Sequence, residues 1–155
     1  MKRRLLIALA LVTATAALVA AGCGGSSRDK AYAGSKADFA AAMSSICASV
    51  NAKIKEIGVG SLDDLATKGP QVIDAIKAGV KKLKKLEPPA EIKSNVDSFL
   101  SLSDQTISKL GDLVDAAKKK DEAAATKLQG ELDALDKQED ADAKAIGATA
   151  CLSGS

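Results

Sequence analysis

The stretch SKADFAAAMSSICASVNAKIKEIG, residues 35–58, decides the fold. Its large apolar residues, Phe39, Met43, Ile46, Val50, Ile54 and Ile57, follow one another at steps of 4, 3, 4, 4 and 3. Those steps return each side chain to one face of a 3.6-residue turn, so the spacing predicts a long amphipathic helix. Ser35 and Asp38 have the separation of a capping box at its start, with Asp in place of the usual Glu. Gly58 closes it, because glycine takes the left-handed backbone of a helix end without a steric cost.

The same logic carries downstream. Ser61 starts a second helix, with Asp63 and Asp64 in the first turn, where carboxylates favour the helix dipole. Leu65, Val72, Ile76, Val80 and Leu83 form its stripe. Gly69-Pro70 is expected to kink or restart this helix, since proline has no N–H and crowds the preceding turn. Glu87-Pro88-Pro89 ends it. A third helix is predicted from near Pro89 to about Lys119, through Ile92, Val96, Phe99, Ile107, Leu110, Leu113 and Val114. Lys118, Lys119 and Lys120 suit its C-terminus, and Asp121 suits the N-cap of a fourth. That last helix uses Leu128, Leu132, Leu135 and Ile146, with Ala125, Ala141 and Ala145 in the gaps. Four helices with short connectors predict an all-α fold, an antiparallel up-down four-helix bundle over residues 36–155. Phe39 and Phe99 are its only phenylalanines, and the alanine-rich seams bury little apolar area each.

Upstream, Lys2, Arg3 and Arg4 precede an uncharged apolar run from Leu5 to Val19, and Ala20-Ala21-Gly22 leads to Cys23. A retained membrane-spanning helix needs about 20 apolar residues, more than this run supplies. Charged start, short apolar run and small-residue flank are the order of a cleavable export signal. The cysteine resembles that of a bacterial lipobox, although Ala20 stands where leucine is commonest. Residues 1–22 are therefore expected to be a lipoprotein signal peptide, with Cys23 the acylated mature N-terminus and residues 23–35 a lipidated tether. Fully extended, that tether reaches about 40 Å. Removal of residues 1–22 takes three of the 22 basic residues and no acid, so 19 face 20 acidic ones, a net charge of −1. Nucleic acid is accordingly not an expected partner.

Cys47 and Cys151 remain. In an exported chain two such cysteines are expected to form a disulfide, with free thiols or a metal pair as the alternatives. One tension is visible in advance. In an up-down bundle the chain end arrives level with the start of the first helix, while Cys47 lies about 16 Å further along it. Either the fourth helix stops near Gly147 and the tail climbs back, or the helix ends are staggered.

Phe39, Ile46-Cys47 with Asn51, Leu86-Glu87-Pro88-Pro89, Ala116-Ala117 and the terminal Cys151 together resemble small exported or lipid-anchored helical proteins of high-GC Gram-positive bacteria. The resemblance implies the bundle, the disulfide and export, and implies no activity.

The chain has no histidine. That removes Ser-His-Asp and Cys-His arrangements and most zinc or haem ligation. No glycine-rich loop has phosphate-binding spacing. Asp133, Asp136, Glu139, Asp140 and Asp142 lack the pattern of a calcium loop and are read as a solvated face interleaved with Lys137 and Lys144. No enzyme, cofactor or metal site is expected. Lys81, Lys82, Lys84 and Lys85, with Lys77 before them, end the second helix on the side of the tether, where they are expected to contact anionic headgroups. The expected function is a non-catalytic structural or interaction module of the cell envelope. It is held to the extracytoplasmic face of the cell membrane by its N-terminal lipid, with an envelope protein as partner. The alternative is a carrier for a small apolar ligand in the bundle core.

Overall fold

The structure is a computed structural model that describes residues 34–154. The expected signal peptide, Cys23 and residues 23–33 of the tether lie outside the described residues. Four helices follow one another: α1 (Lys36–Ile57), α2 (Leu62–Leu83), α3 (Lys93–Lys119) and α4 (Glu122–Ile146). Single 3-10 turns lie at Ala90–Ile92 and Thr149–Cys151. They pack as an antiparallel up-down bundle. Among the described residues no helix is long and apolar enough to cross a membrane.

The helix ends are set by the residues that mark them in the sequence. The Asp38 N–H donates to Ser35 Oγ, and the Ser35 N–H donates to Asp38 Oδ2 at 3.1 Å, a closed capping box. Gly58 closes α1 with φ 65°. Ser61 caps α2 by accepting from the Asp64 N–H at 3.1 Å. Lys120 closes α3 with φ 56°, and Asp121 then accepts from the Ala124 N–H at 3.0 Å, so α3 turns into α4 within two residues.

Gly69-Pro70 does not restart α2, which runs unbroken from Leu62 to Leu83. Pro70 is exposed, and the helix runs through it although proline supplies no N–H to the turn before it. Gly69 is buried against Val114 of α3, closer than any side chain would allow. The pair therefore marks a close helix crossing. On α4, Ala141 and Ala145 are exposed rather than packed; Ala143 and Ala148 fill the seam instead, each fully buried.

Two core clusters divide the bundle. The larger draws on all four helices and the tail: Phe39, Ala40 and Met43 from α1, Leu83 from α2, Val96 and Phe99 from α3, Ala143 and Ile146 from α4, and Ala148. The smaller, around Leu113, Ala116 and Ala125 with Leu62, Leu65, Leu128 and Leu132, contains no residue of α1. Beyond Met43, the stripe residues Ile46, Val50, Ile54 and Ile57 are only half-buried. α1 packs on α2, α2 on α3 and α3 on α4, while the seam between α1 and α4 is filled by the tail.

The tail resolves the geometric tension. α4 stops at Ile146, Gly147 turns the chain with φ 93° beside Ala40, and residues 148–153 climb back between α1 and α4. Cys151 meets Cys47 in a disulfide with a Cα–Cα distance of 5.1 Å. Asn51 Nδ2 donates to the Ala150 carbonyl at 3.1 Å, and Ser153 donates to Asp140 from its N–H (2.7 Å) and its hydroxyl (2.9 Å).

Candidate functional site

Among the described residues, the α1–α4 seam is open beside the tail. The opening is a groove of about 520 Å³. Ile46, Val50 and Ile54 of α1 and Ile76, Val80 and Leu83 of α2 make an apolar wall and floor, with Phe99 from α3. The chain builds this surface by continuing α1's apolar stripe past the point at which α4 covers it. Gly79 permits it, because a Cβ there would lie 2.5 Å from Val50 Cγ2. α1 can therefore lie close on α2 and leave its other flank uncovered.

The opposite wall is acidic. Asp136, Glu139 and Asp140 of α4 line the groove. The α4 stripe runs Leu128, Leu132, Leu135, Glu139, Ala143 and Ile146, so Glu139 holds a position that the helix otherwise gives to core residues. The acidic run is thus not a uniformly solvated face. Thr106 Oγ1 of α3 donates to Glu139 Oε1 at 2.7 Å, and Ser103, only 4% exposed, places its hydroxyl 3.5 Å from Glu139 Oε2. Ser103 itself donates to the Phe99 carbonyl at 2.9 Å. Burial pushes the Glu139 carboxyl above the usual carboxylate range, with the charges of Asp136 and Asp140 adding to it; the Thr106 and Ser103 hydroxyls act the other way. Asp136 is also raised, by burial first and then by Asp133 and Asp140. Asp140 is taken by Ser153, and Asp142 accepts from Asn95 Nδ2 at 3.2 Å. The signal that finds Glu139 in the sequence is its place four residues after Leu135 and four before Ala143.

Of the residues singled out in the sequence, Cys47 and Cys151 are joined and form the closed end of this groove. Cys23 lies outside the described residues. Lys81, Lys82, Lys84 and Lys85 are all exposed at the end of α2, around the buried Leu83. Lys84 Nζ pairs with Asp104 of α3 at 2.9 Å, and Lys82 borders a shallow depression with Lys53 and Glu56 of α1. Leu83 packs with Phe39, so the lysines belong to the tethered half of the bundle. Asp104 nevertheless lies eleven residues into α3. Eleven residues are about 16 Å of helix, so the end of α2 is set back from the end of the bundle at which α3 begins. Among the described residues no group of three or more acidic or thiol side chains is arranged to hold a metal ion.

No protein-family description, curated protein or solved structure matches the chain.

Proposed function

We propose that the chain is a non-catalytic binding module of the cell envelope, tethered through lipid on Cys23 at the extracytoplasmic face of the membrane, with the α1–α4 groove as its binding element. The observation that carries the reading is the groove itself, an apolar trough of about 520 Å³ within an otherwise thin, alanine-rich bundle. That volume is in the range that holds a small ligand, and its carboxylates lie together on the α4 wall. Asp136 and Glu139 are the one carboxylate pair here with an acid–base character to consider. Both are raised by burial and by neighbouring carboxylates, and they stand on the same helix wall, facing the apolar side of the groove. The arrangement supports binding of a small apolar ligand over turnover. The anchor supplies membrane attachment, and Lys81, Lys82 and Lys85 add an electrostatic contribution to it.

The test of binding uses the neutral fluorescent probe N-phenyl-1-naphthylamine. Its emission is expected to rise and shift to the blue with the wild-type protein, and Ile54→Trp, which fills the trough, is expected to remove most of the rise while helicity is retained. Equal enhancement by both proteins excludes the groove as the site. For the anchor, mass spectrometry of the membrane fraction is expected to show a lipidated peptide beginning at Cys23, and Cys23→Ala is expected to abolish it. A membrane-fraction protein that retains residues 1–22 overturns the anchor.

A further inference from the structure

The two walls of the groove differ in a way that specifies what lies in it. The wall from α1 and α2 offers Ile46, Val50, Ile54, Ile76 and Val80, with Asn51 and Lys55 of α1 beside them and no carboxylate. The α4 wall offers carboxylates. The groups that act on Glu139 and Asp136 are hydroxyls and other carboxylates: Thr106 and Ser103 from α3, and Asp133, Asp136 and Asp140 from α4. Lys55 lines the groove from α1, and Cys151 and Ser153 line it from the tail. Among the described residues, the groups acting on these two carboxyls include no cation, although Lys55 lines the same groove. A partly buried carboxylate pair facing an apolar surface is complementary to a molecule with a positive head and an apolar body, because the head relieves the repulsion between the carboxylates while the body removes the exposed stripe of α1 from water.

We infer that the groove binds cationic amphiphiles, the head at Glu139 and Asp136 and the body along Ile46, Val50, Ile54, Ile76 and Val80. This rests on the groove being a binding site, and adds the charge class of its ligand. A primary ammonium head suits the wall, since it donates up to three hydrogen bonds and the ionised carboxylates only accept. Thr106 holds the Glu139 carboxylate through Oε1, which leaves its remaining lone pairs for the head.

Three probes of equal chain length separate the contributions: decylammonium, decanol and decanoate, each titrated below its micelle concentration with helicity followed in parallel. Decylammonium is expected to bind at least tenfold more tightly than decanol, and decanoate more weakly than either. In Asp136→Asn/Glu139→Gln the decylammonium affinity is expected to fall about tenfold, to the level of decanol, while decanol binding stays as in the wild type. Glu139→Asp, which keeps the charge, is expected to retain a preference for decylammonium. Lowering the pH below the raised carboxylate range is expected to weaken decylammonium and leave decanol unchanged, because the carboxylates lose charge there and the amine does not. Equal affinity for decylammonium and decanol, or a preference that survives the double substitution, overturns the cationic assignment and leaves groove binding standing. Failure of all three probes together with N-phenyl-1-naphthylamine overturns the groove itself.

Discussion

Glu139 occupies a core-facing step of α4 and is buried enough for its carboxyl to be raised, yet it is bonded on one side by Thr106. A carboxyl whose pKa is higher in the folded chain than in the unfolded one holds its proton more readily when folded. Its stabilising contribution is complete below the unfolded value of 4.5 and is lost as the pH rises through the raised value. Glu139→Gln, neutral throughout and still able to accept from Thr106, is expected to melt no lower than the wild type at neutral pH. It should also flatten the decline of melting temperature above pH 4.5. Asp136 should leave a residual slope of the same sign. A lower melting temperature for Glu139→Gln at neutral pH would show that the ionised form stabilises the fold. Two glycines give a contrast at this scale. Gly130 lies mid-helix with nothing within 4 Å of a Cβ, so Gly130→Ala is expected to stabilise by about 0.5–1 kcal/mol through helix propensity. Gly79 has Val50 at 2.5 Å, so Gly79→Ala is expected to destabilise by about 1–2 kcal/mol, overpacking outweighing propensity. Denaturant melts of the two variants check both signs.

At the scale of the element, the end of α2 decides how far charge would contribute to the proposed membrane attachment. A lysine near an anionic surface adds about 1 kcal/mol, but the potential decays within a Debye length of about 10 Å. Lys84 is engaged with Asp104 in an exposed pair that itself contributes well under about 1 kcal/mol. Replacing Lys81, Lys82, Lys84 and Lys85 by Gln in a chain beginning at residue 24 is therefore expected to weaken binding to anionic vesicles about tenfold. Four lysines in full contact would give a far larger loss. Lys84→Gln alone should have little effect, and added salt should reduce the wild type toward the variant. Cosedimentation measures each. Unchanged binding by the fourfold variant would make these lysines a solvated helix end.

The whole molecule is asymmetric because one core is built from four helices and a tail, and the other from three helices. The disulfide supports the weak seam. It closes a loop of 104 residues, which in the chain-entropy treatment corresponds to about 4.7 kcal/mol. Cys47→Ser/Cys151→Ser is expected to lose about that much stability in denaturant melts. Its tail amides should also exchange hydrogen faster than those of α3 and α4, and the groove should lose its closed end. A loss below about 1 kcal/mol would show that Asn51 and Asp140 hold the tail by themselves.

The helices and their ends were legible in residues alone, because periodicity, caps and breakers act over a few positions: Phe39 to Ile57 specifies α1, Ser61 caps α2, and Lys120-Asp121 turns α3 into α4. The up-down order followed from short connectors between successive helices. Long-range placement was not legible. Whether Gly69-Pro70 interrupted a helix depended on Val114, forty-five residues away, and on which side of α2 faced water. Where the tail went depended on Gly147 turning it beside Ala40, and the choice between a climbing tail and staggered helices could only be made in three dimensions. The acidic run reads as a solvated face when charge is counted along the chain; Glu139 became part of a groove only when Thr106 was set beside it and α4 was held away from the second half of α1. The amphipathic period determines that a face will be buried, and the packing of the whole chain decides how much of that face finds a cover.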